Sequence, residues 1–167
     1  MMRILYSFLL VLVIILQANP AEAEKTKETN QITSFITGLQ TENPKQAVEL
    51  WLLGVKNRSG AVQYAVLSPL LQKQTEGEFK KNGWVTGQSS PWINNFQINK
   101  VTNINNNKKE YTLSYDILTS YKKLGKGEKI ITVEKNPSSG RTNWFISNIK
   151  TKKNPWEAYT PAEVITK

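Results

Sequence analysis

The sequence contains no cysteine and no histidine, and Asp116 is its single aspartate. Without cysteine there is neither a disulfide nor a thiol nucleophile, so packing alone must stabilise the fold. Without histidine the chain lacks the most common general acid–base and metal-ligating side chain. Its glycines form no phosphate-binding loop, and no catalytic triad or metal-ligand spacing is present. These absences favour a protein that binds rather than catalyses, with no cofactor and no metal.

Arginine is also scarce, although the net charge is +9. Most of the positive charge comes from lysine, which is scattered as pairs rather than gathered in a run: Lys80-Lys81, Lys108-Lys109, Lys122-Lys123 and Lys152-Lys153. Arginine is the side chain favoured for base and phosphate recognition, so nucleic acid is not an expected partner. A surface of scattered lysines predicts only weak, salt-sensitive contact with anionic cell-wall polymers.

The first 23 residues have the pattern of an export signal. Arg3 precedes a 13-residue apolar run, Ile4–Leu16, which is short of the roughly 20 residues that a membrane-spanning helix needs. Ala21 and Ala23 fit the small-residue rule for a cleavage site, so cleavage after Ala23 is expected. The protein is then secreted or associated with the cell envelope, and the lack of cysteine fits a Gram-positive bacterium. The alternative is a segment that stays uncleaved as an N-terminal anchor.

Residues 24–42 are predicted to form a leader that is partly flexible or holds a short helix. Its apolar side chains recur at helical spacing: Ile32, Phe35, Ile36 and Leu39. A capping residue followed by proline then predicts two helix starts, at Asn43-Pro44 and Ser68-Pro69. Three helices are expected in this region: from Pro44 to a stop at 57–60, from Ala61 to Leu67, and from Pro69 to about Asn82.

From residue 92 the apolar period changes from 3.6 to 2, which predicts strands. Four strands are expected, over residues 92–101, 111–119, 129–135 and 142–149. Turn residues separate them at 105–108, 125–127 and 136–140. Because the connections are short, the strands should form an antiparallel meander. Residues 151–167 are predicted to lie as a strap over the domain, anchored by Trp156.

The loop at residues 83–92 separates the helical half from the strand half and contains Trp84 and Trp92. Exposed indole surface is costly, so two tryptophans in one loop are expected to cover something apolar. One interpretation is a hydrophobic clasp that closes the core between the helices and the sheet. The other is the lip of a pocket.

Helices followed by strands predict an α+β domain over residues 43–150, with the N-terminal helices packed on a curved antiparallel β-sheet. Four segments carry a family resemblance: Pro44–Trp51, Gly60–Pro69, Gly83–Gly87 and Ser90–Trp92. Through them the chain resembles the NTF2-like (cystatin-like, SnoaL-type) superfamily and, more narrowly, small exported NTF2-like proteins of bacilli. The resemblance implies a sheet that wraps around the helices and leaves a cone-shaped cavity. Some members use this cavity for catalysis and others for binding or association.

The favoured function is an exported, non-catalytic binding or interaction module whose cavity takes an apolar ligand, a peptide or an envelope protein. The candidate ligand-binding residues are aromatic: Trp51, Tyr64, Trp84, Trp92, Phe96, Tyr115 and Trp144. A second copy of the chain could also associate through the sheet.

Two other functions stay open. The first is a SnoaL-like enzyme with Asp116 or Glu49 as the base and Tyr64 or Tyr115 as a proton donor. Strand alternation disfavours it, because Asp116 falls on the side of the strand opposite Tyr115. The second is an envelope assembly component, which would require the N-terminal segment to be retained as an anchor.

Overall fold

The computed structural model describes residues 41–87, 90–135 and 143–153, together with the isolated positions 27, 31, 34, 38 and 39. Residues 41–153, where described, form three helices and four strands. They are α1 (Pro44–Lys56), α2 (Gly60–Ala65), α3 (Pro69–Lys81), β1 (Trp92–Asn105), β2 (Lys108–Leu118), β3 (Lys123–Lys135) and β4 (Trp144–Lys153). The strands form one antiparallel sheet in the order β1-β2-β3-β4. The predicted α+β class is therefore confirmed.

Several sequence-based predictions lie outside the described residues and stay predictions. They concern the export signal at 1–23, the apolar leader residues Ile32, Phe35 and Ile36, the turn at 136–140, and the strap from residue 154 onward, with Trp156. The expectation that the strap begins at residue 151 is wrong, because residues 151–153 continue β4. Ahead of α1, Lys27, Gln31, Ser34 and Gly38 are helical. In the part of the chain that is described, no helix is long and apolar enough to cross a membrane.

The helix starts follow from side-chain caps, as the sequence predicts. Asn43 Oδ1 accepts a hydrogen bond from the Gln46 amide at 2.9 Å, and Gln46 Oε1 accepts one from the Glu42 amide at 3.0 Å. Ser68 Oγ likewise accepts from the Leu71 amide. Each cap satisfies an amide at the helix start that has no partner within the helix.

The turn between β2 and β3 lies at residues 119–122, so the prediction of a turn at 125–127 is wrong. The Thr119 amide donates to the Lys122 carbonyl at 2.8 Å, and the Lys122 amide donates to the Thr119 hydroxyl at 3.1 Å. Gly125 and Gly127 lie inside β3, opposite Ile117 and Tyr115. Glycine is needed at 127 by packing rather than by a turn, because the ring of Tyr115 occupies the space that a Cβ would take.

β1 contains a bulge that changes which of its side chains face the helices. Between the pairs Asn94–Asp116 and Gln97–Ser114, β1 has one more residue than β2, and Asn95 adopts a φ of 54°. A bulge of this kind leaves one residue unpaired and shifts the alternation of side chains. Trp92 and Asn94, before the bulge, therefore lie on the face of the sheet opposite to Phe96 and Ile98, although all four alternate in the sequence.

The core lies between α1 and the helix-facing side of the sheet, called the inner face below. α1 contributes four fully or nearly fully buried apolar residues: Ala47, Val48, Trp51 and Val55. β2 contributes alternate residues: Tyr111, Leu113, Tyr115 and Ile117. β3 and β4 complete the core with Ile131, Val133, Trp144, Ile146 and Ile149.

Backbone hydrogen bonds hold the helical layer against the edge of β4. The Ile146 amide donates to the Val66 carbonyl, and the Ser68 amide donates to the Ile146 carbonyl, each at 2.8 Å. Thr41 makes a similar contact further along, because its carbonyl accepts from the Trp144 amide at 3.0 Å. The segments before α1 and between α2 and α3 thus cover polar groups that an edge strand otherwise exposes.

Candidate functional site

The structure divides the seven predicted ligand-binding residues among three places. Tyr64 and Trp84 lie among the helices. Trp92 lies on the outer face of the sheet. The remaining four belong to the inner face and its core: Trp51, Phe96, Tyr115 and Trp144. The structure therefore brings four of the seven predicted ligand-binding residues to one region and places the other three elsewhere.

The helical group is an aromatic cluster of Tyr64, Phe79 and Trp84. The rings of Phe79 and Trp84 are stacked, with centroids 5.8 Å apart and planes 9° from parallel. Tyr64 meets both rings edge-on, at 5.7 Å from Phe79 and 5.3 Å from Trp84. Stacked and edge-to-face contacts of this kind add to the stabilisation that burial alone provides. Trp84 thus closes a helix–loop contact rather than lining the inner face.

The loop that carries Trp84 is held on the corner between α1 and α2. Arg58 donates to the carbonyls of Thr86 and Gly87 at 3.1 and 3.0 Å, and accepts at its own carbonyl from the Thr86 amide at 3.0 Å. The buried Gln63 donates from Nε2 to the Thr86 hydroxyl at 2.7 Å. Arg58 and Trp84 both have positive φ, 58° and 61°, which is unfavourable for residues with a side chain. The many contacts keep the loop in this conformation.

Trp92 does not join Trp84, although both belong to the same predicted loop. It pairs with Leu118, whereas the next residue, Ile93, pairs with the buried Ile117. Cross-strand partners share a face, so Trp92 and Leu118 lie on the outer face of the sheet. Trp84 therefore packs against the helices, whereas Trp92 lies on the outer face of the sheet.

Trp51, Tyr115 and Trp144 are buried core residues, exposed by 7% or less. The Trp51 indole N–H has no hydrogen-bond partner within the described part of the chain. A buried donor without an acceptor is uncommon and unfavourable. Among the residues that the structure describes, the Trp51 indole therefore leaves one buried hydrogen-bond donor unsatisfied between α1 and the sheet.

The inner face also holds a residue that the sequence analysis missed, the fully buried Lys129. Its Nζ donates to the Thr151 hydroxyl at 2.7 Å and lies 5.6 Å from the centre of the Tyr115 ring. The Tyr115 ring in turn lies 5.5 Å from that of Phe96. These four residues, Phe96, Tyr115, Lys129 and Thr151, form the inner-face cluster. A cation over an aromatic ring and a hydroxyl acceptor both favour a buried ammonium.

A sequence signal for Lys129 did exist. Gly127, Lys129, Ile131 and Val133 follow one another at period 2 and are all buried. The predicted turn at residues 125–127 excludes Gly127 from this series, so the alternation is harder to recognise. With β3 beginning at Lys123, alternation alone places Lys129 on the inner face.

Three apolar side chains in or beside the inner-face cluster are only partly buried. Phe96 and Ile98 on β1, and Leu124 at the start of β3, pack against the core but keep some exposed surface. Ile98 pairs with Leu113, and Lys129 pairs with both Leu113 and Thr151, so these residues form one row across the sheet. The row passes from a partly exposed apolar edge to a buried ammonium.

Asp116, the proposed catalytic base of the alternative enzyme, lies on the outer face. Its carboxylate forms an ion pair with Lys123 Nζ at 2.5 Å and accepts from Asn95 Nδ2 at 3.2 Å. The hydrogen bond from Lys123, followed by that from Asn95, lowers the pKa of the Asp116 carboxyl below its ordinary value. A lower pKa makes the carboxylate a weaker base, and its position separates it from Tyr115.

Glu49, the second candidate base, is an exposed residue of α1 that forms an ion pair with Lys45 at 2.7 Å. Burial, and to a lesser degree the charge of Glu49, raises the pKa of Tyr111. Burial and the charge of Glu76 raise the pKa of Tyr64 in the same way. Both phenols are therefore neutral near pH 7. Among the residues described, no group of His, Cys, Asp or Glu is placed to hold a metal ion.

Comparisons with known proteins give few relatives. No family model matches the sequence, and no curated protein matches it. Among solved structures, the chain is similar to an NTF-2 like protein of unknown function from Shewanella oneidensis MR-1. The two are 14% identical, the match covers 64% of this chain and 93% of the other, and the TM-score is 0.47.

Proposed function

We propose that the protein is an exported, non-catalytic binding module that takes an apolar ligand, or an apolar side chain of a peptide or protein partner, at the inner-face cluster. The observation that carries the proposal is a partly exposed apolar surface on the inner face that borders a buried charge. Phe96 and Ile98 leave apolar surface partly exposed next to a fully buried lysine. Binding sites typically combine an apolar wall with a few polar groups that fix orientation.

The contacts within the cluster support this role. Phe96 meets Tyr115, Tyr115 lies beside the Lys129 ammonium, and that ammonium donates to Thr151. Each residue is thus held by the next, which positions the wall before a ligand arrives. A preorganised site loses less conformational entropy on binding.

The same geometry favours binding over catalysis. Asp116 is engaged by Lys123 and Asn95 on the outer face, and Glu49 is an exposed partner of Lys45. A catalytic base must lie within hydrogen-bond reach of its substrate, in a setting that tunes its pKa toward the working pH. The environment of Asp116 shifts its pKa in the opposite direction.

Titration with N-phenyl-naphthylamine, a neutral apolar fluorophore, tests the site. Phe96→Ala should weaken its binding about tenfold, since removing one ring from an apolar wall loses on the order of 1–2 kcal/mol. Val101→Ala is the matched control, because Val101 lies on the same strand and is 49% exposed. It should change the affinity less than about twofold. Both variants keep the apolar N-terminal run, so probe bound there cancels in the comparison.

The proposal fails if Phe96→Ala remains folded by circular dichroism and binds the probe as the parent does. Equal losses in the two variants would also contradict it, because they would indicate general adsorption to the sheet.

Export requires its own test. Ala21 and Ala23 occupy the positions that a cleavage enzyme reads. N-terminal sequencing of protein from culture medium should therefore begin at Glu24. Recovery from membranes alone, with Arg3 still present, would favour the anchored alternative.

A further inference from the structure

The turn between β2 and β3 carries the most exposed large hydrophobic side chain in the described part of the chain. Tyr121 is 97% exposed, and Lys122 and Lys123 follow it, both also exposed. Solitary exposed apolar residues are common on protein surfaces. Here, however, Tyr121 belongs to a group, called the β2–β3 tip below, formed by Trp92, Leu118, Tyr121, Lys122 and Lys123.

Strand register brings the members of the β2–β3 tip together. Leu118 pairs with Trp92 on one side and with Lys123 on the other, so the three form a row across the outer face. Tyr121 lies in the turn that directly follows this row. Trp92 and Leu118 are partly exposed and lie outside the core cluster. The tip therefore combines three apolar side chains with two ammonium groups at one end of the sheet.

The turn holds Tyr121 in a fixed position. The Thr119 hydroxyl accepts from the amides of Tyr121 and Lys122 at 3.3 and 3.1 Å, and itself donates to the Lys122 carbonyl at 3.0 Å. Four residues are thus closed around one threonine side chain. The exposure of Tyr121 is built into the turn rather than produced by a loose loop.

The charge at the β2–β3 tip is predominantly positive. Lys122, Lys123 and Lys126 lie at or next to the tip, and Asp116, the neighbouring carboxylate, pairs with Lys123. The other outer-face carboxylates with ion pairs are farther along the sheet, where Glu128 meets Lys152 and Glu134 meets Lys108. The tip thus keeps a positive excess that complements an anionic surface.

We propose that the β2–β3 tip docks on the surface of an anionic lipid bilayer. Tyrosine and tryptophan favour the depth of the lipid headgroups, where the ring is apolar on one side and its polar end stays in water. Lysines at the same level bind the negatively charged headgroups. Leu118 adds apolar surface beneath them.

A soluble polyanion fits the tip less well. A wall polymer or a nucleic acid would satisfy the lysines but offer no apolar phase for Tyr121 and Leu118. The scarcity of arginine, with Arg58 engaged at Thr86 and Gly87, also disfavours phosphate-polymer recognition. An anionic bilayer can contact both the apolar side chains and the lysines of the tip.

A tryptophan reporter at the tip provides a direct test in the full-length chain. Tyr121→Trp should show a blue-shifted emission with vesicles of phosphatidylglycerol and phosphatidylcholine, and its added signal should be quenched by brominated lipid. Ile104→Trp is the matched control, because Ile104 is 49% exposed and lies at the opposite end of the sheet. Its added signal should not be quenched.

Charge dependence gives the second measurement. Lys122→Gln should weaken binding to these vesicles about fivefold, since one lysine near an anionic surface contributes roughly that factor. Tyr121→Ser should weaken it further, and vesicles of phosphatidylcholine alone should bind least.

Three results would overturn the proposal. One is an unchanged Tyr121→Trp emission on vesicles that bind the chain, which would assign binding to the N-terminal apolar run. Another is equal quenching of the two reporters. The last is binding to inorganic polyphosphate that depends on Lys122 but not on Tyr121, which would identify a soluble polyanion as the partner.

Discussion

The ring of Tyr115 lies against Gly127, its partner on the neighbouring strand, and fills the space where a side chain of residue 127 would begin. The same ring lies 5.5 Å from the ring of Phe96 and 5.6 Å from the Lys129 ammonium. Glycine at residue 127 therefore leaves the space that the Tyr115 ring needs to reach both Phe96 and Lys129. Gly127 is a packing residue of the candidate site.

Gly127→Ala should destabilise the protein by about 1–3 kcal/mol, because the buried Tyr115 ring must move to accept a methyl group. Gly125→Ala is the control, since nothing lies within 4 Å of the Cβ that it would add. Its effect should stay within about ±0.5 kcal/mol. Urea unfolding of both variants measures the difference, and equal midpoints would contradict the proposed contact.

The helical half of the fold was predictable because its signals are local. Asn43-Pro44 and Ser68-Pro69 are caps that need no tertiary information, and α1 and α3 begin where they predict. The second helix was also expected, although it begins at Gly60 and ends at Ala65 rather than covering 61–67. Helix ends fray and the last turn is often tightened, so the terminal one or two residues are hard to predict.

The sheet was predicted in outline but not in detail, for two physical reasons. A glycine pair at residues 125–127 has the composition of a turn, and only the Tyr115 ring on the partner strand explains why Gly127 lies inside β3. The bulge at Asn95 is also set by pairing with β2, and it moves Trp92 to the outer face. The predicted turn at residues 125–127 is also why the burial of Lys129 was not predicted.

The hydrogen bond between Lys129 and Thr151 leads to a second prediction. Thr151→Val keeps the shape of the side chain but removes the hydroxyl that accepts from Lys129 Nζ at 2.7 Å. A hydrogen bond to a charged group contributes about 1.5–3 kcal/mol, so a loss of that size is expected. Thr151→Ser should retain most of it.

The outer-face variant Thr112→Val serves as the control and should change stability by no more than about 0.5 kcal/mol. In a Lys129→Met background, Thr151→Val should have a much smaller effect, because the two side chains act as one unit. A full loss in that background would show that the Thr151 hydroxyl acts independently of Lys129.

Asp116 predicts a pH dependence of folding. Its folded-state pKa is lowered by Lys123 and Asn95, so the carboxylate contributes stability above its unfolded-state pKa of about 3.9. That contribution is lost as the pH falls through the lower folded-state value. The stability difference between the parent and Asp116→Asn should therefore be constant near neutral pH and shrink in acid.

Thermal unfolding between pH 7 and pH 2 measures this difference. Lys123→Gln removes the hydrogen bond that does most to lower the pKa of Asp116, and it should flatten the same profile. A difference that grows as the pH falls would mean that the pKa of Asp116 is raised in the folded protein, as a catalytic acid in a buried site requires. That result would return the enzyme alternative to consideration.

The last prediction concerns Arg58, which holds the Trp84 loop while adopting a φ of 58°. Arg58→Ala and Arg58→Gly both remove the donors to Thr86 and Gly87, but only glycine relieves the left-handed backbone conformation. The glycine variant should therefore be about 1 kcal/mol more stable than the alanine variant. At Lys56, in the last turn of α1, the order should be reversed, since glycine is about 0.5–1 kcal/mol less favourable than alanine within a helix. Finding the same order at both positions would show that the backbone at Arg58 is not left-handed in solution.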